Sequence, residues 1–144
     1  MKPGKIITED DEIKRTLEDA KTIAIVGLSL KPERDSNRVA KYLKNQGYKI
    51  IPVRPGQKEI LGEKAHATLD DIQGKVDIVD VFRNPAQIVP HALEAVRLSP
   101  KVFWMQLNIE NPEAAALLME AGVDVVMNKC IKIEHERLFK KNGL

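Results

Sequence analysis

Five short runs along the chain are apolar almost without interruption: residues 22–27 (TIAIVG), 48–53 (YKIIPV), 77–82 (DIVDVF), 101–106 (KVFWMQ) and 123–127 (VDVVM). Strands that read this way are covered on both faces, which is the signature of a parallel sheet between two helical layers. Between the runs, apolar positions recur at helical spacing instead. Residues 8–21 carry Ile13, Leu17 and Ala20, with Thr8 as a predicted N-cap and acids in the first turn. Residues 36–46 carry Val39, Ala40, Tyr42 and Leu43 and stop at Gly47, a residue suited to a helix C-terminus. Residues 85–98 carry Ile88, Val89, Ala92, Leu93 and Val96, and Pro90 moves the expected helix start from 85 toward 88. Pro112 opens a helix that ends at Gly122, and residues 131–139 (IKIEHERLF) form a short helix or an extended arm.

The segment between the second and third runs is different in kind. Ile60-Leu61-Gly62 suggests a hairpin-like excursion, and Thr68 caps a single turn holding Leu69 and Ile72. No linker, repeat or low-complexity tract interrupts the alternation of strand and helix. The expectation is one α/β domain over residues 1–144: Rossmann-like, doubly wound, with a five-stranded, mainly parallel sheet and helices on both faces.

Composition narrows the function classes. With 23 basic and 21 acidic residues the net charge is +2, so overall charge gives no reason to expect nucleic acid. No run of apolar residues is long enough to span a bilayer, and the N-terminus has no apolar targeting core, so no membrane is expected. A single cysteine, Cys130, permits no internal disulfide and points to a reducing, cytoplasmic setting.

Local charge tells more. Ligands of an open parallel sheet bind outside the carboxyl ends of the strands. Those ends are Gly27-Leu28-Ser29, Val53-Arg54-Pro55, Phe82-Arg83-Asn84, Gln106-Leu107-Asn108 and Asn128-Lys129-Cys130. Arg54, Arg83 and Lys129 are expected to converge with Arg38, and like charges gathered in one crevice favour a bound anion. The ten residues after Gly27 add Ser29, Lys31, Arg34, Ser36, Asn37 and Arg38, with Asp35-Ser36-Asn37 as candidate N-caps of the following helix. A phosphorylated ligand fits this chemistry.

Two familiar phosphate motifs are absent. After the first strand the chain reads Gly27-Leu28-Ser29-Leu30-Lys31-Pro32, which keeps one glycine of the dinucleotide fingerprint and makes the loop too long. The second strand ends in Val53-Arg54 rather than in the acid that would hold a ribose 2′-hydroxyl, although Arg54 leaves a 2′-phosphate, and so NADP, open. No P-loop occurs. His66, His91 and His135 show neither triad nor metal-ligand spacing, and each reads as an ordinary surface or half-buried histidine. Cys130 reads as a small apolar residue at a buried strand end, or as a thiol near Lys129 able to pair with a ligand thiol.

The blocks IVGLSLKPERDSNRVAKYL, YKIIPVRPG, ILGEKAHATLDDI, VDIVDVFRNP, VFWMQLNIENPEAA and VVMNKCIKIEH resemble, in order and spacing, the small stand-alone CoA-binding proteins. Those are in turn similar to the N-terminal domain of the succinyl-CoA synthetase α subunit. The resemblance runs from about residue 20 to about residue 137. It implies coenzyme A or an acyl-CoA at the strand ends. Gly27, Leu28, Ser29 and Lys31 would lie along the phosphates, with Ser36 and Arg38 at the helix start. Val53, Arg54 and Pro55 would lie near the adenosine 3′-phosphate, and Phe82, Arg83 and Asn84 at the third strand's turn. Gln106, Asn108, Lys129 and Cys130 would stand nearer the pantetheine. Arginine at two strand ends departs from the synthetase, which has neutral residues there and leaves the phosphate contacts open.

The phosphorylated histidine of the synthetase lies in a second domain that has no counterpart in these blocks. The expectation is therefore a binding protein with no catalytic and no metal-ligating residues. The alternatives are an NADP-binding oxidoreductase-like module and a regulatory domain with a vestigial nucleotide pocket. An exposed fifth strand or the 131–139 arm would offer a surface for a homodimer or an unidentified protein partner.

Overall fold

The computed structural model describes residues 2–140. The five apolar runs form strands β1 (Thr22–Val26), β2 (Lys49–Val53), β5 (Ile78–Val81), β6 (Val102–Met105) and β7 (Asp124–Val126), all parallel, in the order β2-β1-β5-β6-β7. Every residue of β5 and β6 is buried, which explains why they read as continuous rather than alternating. Alternation is still present as a division between two cores. Ala24, Val26, Val79, Val81, Phe103, Met105 and Val125 face α3 (Ile88–Leu98) and α4 (Pro112–Glu120). Ile23, Ile25, Ile78, Trp104 and Val126 face α1 (Asp10–Asp19), α2 (Asp35–Asn45) and α5 (Ile131–Phe139). The fold is the doubly wound, Rossmann-like one expected.

Both sheet edges are partly covered. Beside β2, the segment that should supply a further strand lacks an apolar run and collapses to one residue. His66 bridges Val53, its N–H donating to the Pro52 carbonyl (2.9 Å) while its own carbonyl accepts from Arg54 (2.8 Å). Pro52 is tolerated because β2 lies at the edge and only its carbonyl is called upon. The rest of the segment is a small antiparallel hairpin, β3 (Glu59–Ile60) and β4 (Glu63–Lys64), then a 3₁₀ turn, Leu69–Asp71, closed by the Thr68/Asp71 capping box. At the other edge residues 5–7 run alongside β7: Ile7 N–H donates to Val125 (2.8 Å) and Val125 N–H to Lys5 (2.9 Å). The fifth strand is therefore not the open edge that the sequence suggested.

Three local expectations change for identifiable reasons. Thr8 is not a cap: α1 starts at Asp10 behind Glu9, with no side-chain cap and three acids in its first turn to meet the helix dipole. Ser36 and Asn37 are not caps either, because α2 starts at Asp35 and both lie buried in its first turn. Residues 131–139 are a helix packed against α1 and α2. His135 Nδ1 lies 2.7 Å from the Tyr42 hydroxyl, its ring stacks on Phe139 at 4.4 Å, and Arg137 forks onto Asp10 at 2.8 and 2.7 Å. Pro90 fits where it stands: a 3₁₀ turn, Pro85–Gln87, precedes α3, so Pro90 sits in the first turn, where no N–H is needed.

Within β5 and β6 one residue breaks the apolar rule. Asp80, in the middle of β5, is completely buried, and neither carboxylate oxygen has a hydrogen-bond partner. Burial alone pushes its carboxyl well above the ordinary carboxylate range, which favours the neutral acid over the carboxylate.

Candidate functional site

Chain direction across the sheet reverses between β1 and β5, since β1 leads outward to β2 and β5 leads the other way. At the carboxyl ends of these three strands lie two adjoining cavities, of ≈ 630 and ≈ 510 Å³, both lined by Gly27, Arg54 and Phe82. Gly27 is what allows the strand ends to come so close. Its φ is +82°, and a Cβ there would stand 2.4 Å from the Phe82 carbonyl oxygen and 3.2 Å from Arg83 Cδ. Its N–H donates to Val53 (3.0 Å), while Phe82 N–H donates to Val26 (2.9 Å), so the ends of β1, β2 and β5 are knitted together.

The loop from β1 to α2 is held from below and behind. Leu28 is fully buried and anchors it in the core. Ser29 N–H donates to Ser36 Oγ (2.9 Å), Asn37 Nδ2 donates to the Ser29 carbonyl (2.8 Å), and Lys31 N–H donates to Ser29 Oγ (3.1 Å). The polar residues of the helix start thus shape the loop instead of capping the helix. Ser29, Lys31, Arg34 and Ser36 line the smaller cavity at the α2 N-terminus, together with Glu33 and Asp35. Backbone N–H groups and the dipole of the 11-residue helix favour negative charge there.

Val53, Pro55, Arg83 and Asn84 line the larger cavity with Ala67, Thr68, Gln87, Pro90, His91 and Glu94. Arg54 reaches back to the Leu28 carbonyl through Nη1 (3.2 Å), and Arg83 Nε is buried with no partner. Among the described residues no carboxylate pairs with Lys31, Arg34, Arg54 or Arg83. Opposite them, His91 Nδ1 stands 3.5 Å from Glu94 Oε1, too far for a hydrogen bond but close enough to attract once the ring is charged. Burial and the neighbouring Arg83 lower the His91 pKa, and burial, followed by Asp70, raises that of Glu94.

The two cavities bring together Gly27, Ser29, Lys31, Ser36, Val53, Arg54, Pro55, Phe82, Arg83 and Asn84. Other expected site residues lie elsewhere. Arg38 is exposed, ion-paired with Asp35 and bonded to the Glu33 carbonyl, behind two lining residues of the smaller cavity and not itself in the lining of either. Gln106 is buried, its Oε1 accepting from Ile131 N–H (3.1 Å) at the start of α5. Asn108 N–H donates to Asn128 Oδ1 (2.6 Å), locking the ends of β6 and β7, and the Lys129 carbonyl accepts from Trp104 Nε1 (2.7 Å). Cys130 is the half-buried residue before α5. The ends of β6 and β7 are occupied with each other and with α5.

Gln87, His91 and Glu94 were not expected in the crevice. His91 and Glu94 lie three residues apart on one stripe of α3, and Gln87 ends the 3₁₀ turn before it; that spacing after a strand's carboxyl end is the signal that could have found them.

A doubly wound sheet offers its ligand crevice at the switch point of strand order, and here that crevice carries cations with no carboxylate pair among the described residues. The sequence model of the CoA binding domain family matches residues 21–136, and the chain belongs to that family. The uncharacterized protein YneT of Bacillus subtilis (strain 168) is 45% identical over 124 residues, covering 86% of this chain and 92% of its own. The crystal structure of Prb, the PH1109 protein redesigned for binding, superposes with a TM-score of 0.91 at 41% identity, covering 95% of this chain and 96% of that one. Acetyl-coenzyme A synthetase 1 of Ca. Korarchaeum cryptofilum, in complex with phosphate and ADP, matches 73% of this chain over 25% of its own, with a TM-score of 0.67 and 19% identity. That last likeness is one of fold.

Proposed function

We propose that this chain binds coenzyme A or an acyl-CoA in the crevice above β1, β2 and β5, and performs no chemistry on it. The observation that carries the proposal is the set Lys31, Arg34, Arg54 and Arg83, which lines two joined cavities without a pairing carboxylate in a member of the CoA binding domain family. Cations left unpaired in a crevice repel one another, and an anion relieves that repulsion. Coenzyme A offers separated phosphate groups on one molecule, which suits two cavities that meet at Gly27, Arg54 and Phe82.

In this assignment Ser29, Lys31 and Ser36 with the α2 N-terminus receive one phosphate group, and Arg54 and Arg83 receive another. Val53, Pro55, Phe82 and Asn84 supply the wall between. Arginine suits the second position because its planar fork meets a phosphate with two parallel hydrogen bonds. Gln106, Asn108, Lys129 and Cys130 take no part in holding phosphate, and Arg38 acts on the loop through Glu33 and Asp35. The cytoplasm, where coenzyme A and a free Cys130 thiol coexist, is the setting assigned by the same proposal.

Thermal unfolding of the full chain with coenzyme A, acetyl-CoA, NAD, NADP or ATP tests it. Binding at a hundred times Kd adds about 2.7 kcal/mol of stability, enough for a shift of several degrees. Coenzyme A or acetyl-CoA is expected to give the largest shift. A shift with NADP alone supports the oxidoreductase-like alternative, and no shift with any nucleotide supports a vestigial pocket.

A further inference from the structure

We propose that His91 contacts the ligand and takes up a proton when an anionic group binds against Arg83, with Glu94 holding that proton at Nδ1. The proposal rests on the coenzyme A reading above and goes beyond it in assigning a residue on α3 and a proton to the binding step.

The geometry is that of a cation site left half assembled. His91 lines the larger cavity beside Arg83, with Arg54 on the β2 side and Glu94 one helical turn away on its own helix. Two influences lower the ring's proton affinity: first its partial burial, then the positive charge of the Arg83 guanidinium. Its Nδ1 is buried without a hydrogen bond, and the one carboxylate near it, Glu94 Oε1, stands 3.5 Å off. Farther out, Asp70 and Asp71 of the 3₁₀ turn act on Glu94, and Arg97 holds Asp70 at 2.9 Å. After burial, the charge that bears on the ring is that of Arg83.

An anion beside Arg83 reverses that balance. It cancels the guanidinium's repulsion and adds attraction, so the imidazolium becomes the favoured form. The proton comes from solvent, sits on Nδ1, and donates toward Glu94, while the charged ring adds to Arg83 and Arg54 in holding the anion. By linkage, a ligand that raises the histidine's proton affinity must bind more tightly as pH falls, with Kd improving by up to about tenfold per pH unit between the free and bound pKa values. Neutral ring when empty, charged ring when full: the site is poised by pH.

The test follows the imidazole resonances of the full-length protein by NMR against pH, free, with saturating coenzyme A, and with inorganic pyrophosphate, assigned through His91→Gln. The expected result is a free His91 titrating below the ordinary 6.5 and rising by about one pH unit or more with coenzyme A. Calorimetry at pH 7 in two buffers of different ionisation enthalpy should show proton uptake that vanishes in His91→Gln and shrinks in Glu94→Gln. Coincident free and bound titrations, or uptake that persists in His91→Gln, overturns the proposal. A rise with pyrophosphate and no binding of coenzyme A removes the coenzyme A reading and keeps the protonation. Calorimetric binding of coenzyme A with an unmoved His91 titration overturns the protonation alone, and no binding of either anion overturns both.

Discussion

The two ends of the sheet carry cavities of similar size that differ in how their charges are paired. The cavity at the amino ends, ≈ 610 Å³, is lined by Lys5, Glu12, Lys75, Asp77, Lys101 and Asp124 among others. There six of the eight charges answer one another: Lys5 pairs with Glu12, Lys75 with Asp77 at 3.8 Å and Lys101 with Asp124 at 3.8 Å, and the remaining two, Arg15 and Asp19, are of opposite sign. The acids also serve the backbone, Asp77 accepting from Lys21 and Thr22 (2.8 and 2.9 Å) and Asp124 from Lys5 (3.0 Å). At the carboxyl ends, Lys31, Arg34, Arg54 and Arg83 find no such partners among the described residues. Cavity volume does not separate the two places. Unanswered charge does, because only an unbalanced crevice gains by taking in an ion.

The widest test of this contrast removes the cations from one end and then from the other. Arg54→Ala with Arg83→Ala should weaken coenzyme A by on the order of a hundredfold or more, since each charged hydrogen bond contributes about 1.5–3 kcal/mol. Lys75→Ala with Lys101→Ala should leave affinity within about twofold. Equal losses from both pairs, measured by calorimetry at one salt concentration, would break the comparison.

A second test strikes the junction itself. Gly27→Ala must place a Cβ 2.4 Å from the Phe82 oxygen at a φ of +82°. Left-handed backbone and overpacking together should cost about 2–4 kcal/mol in urea unfolding. Wild-type stability in this variant would mean that the strand ends are looser than they stand here.

The third contrasts two acids three residues apart. Asp77 is satisfied by two backbone N–H groups, whereas Asp80 is buried and orphaned. Folded Asp80 keeps its proton to a higher pH than the unfolded chain, whose value is near 3.8. The native state therefore binds more protons above that pH, and stability falls as pH rises through the range up to the folded pKa. Asp80→Asn should flatten that dependence while leaving unpartnered polar atoms. Asp80→Val should flatten it and add about 1–3 kcal/mol at pH 7. Urea unfolding between pH 4 and 8 decides, and a destabilised Asp80→Val would show that the carboxyl has a partner in solution.

The smallest effects are expected where charges are already paired and exposed. Arg38→Ala should change stability by less than about 1 kcal/mol and coenzyme A affinity by only a few fold, because the guanidinium is turned to Asp35 and Glu33. A hundredfold loss of affinity would show that this arginine swings into the crevice on binding.

Much of this molecule was readable before folding, for reasons that can be located. Strands covered on both faces cannot alternate, so the runs at 22–27, 77–82 and 101–106 declared both strand and parallel sheet. The residue after each strand end is fixed by the chain itself, which placed Gly27, Arg54 and Arg83 at the same end of the sheet. His91 and Glu94 were less visible. Their role depends on α3 laying one stripe over the end of β5, and nothing in their neighbours' identities announces a ligand.

The sequence by itself determined which residues stand at which end of the sheet, because strand direction and helical spacing are local properties of the chain. Only the tertiary structure decided which charges remain unanswered there. Arg38 finds Asp35 three residues back on its own helix, a pairing local to the chain, whereas Arg54 meets the Leu28 carbonyl 26 residues away, a contact only the folded sheet makes. Pairing acts across ångströms, and folding sets those distances between residues that the chain leaves far apart.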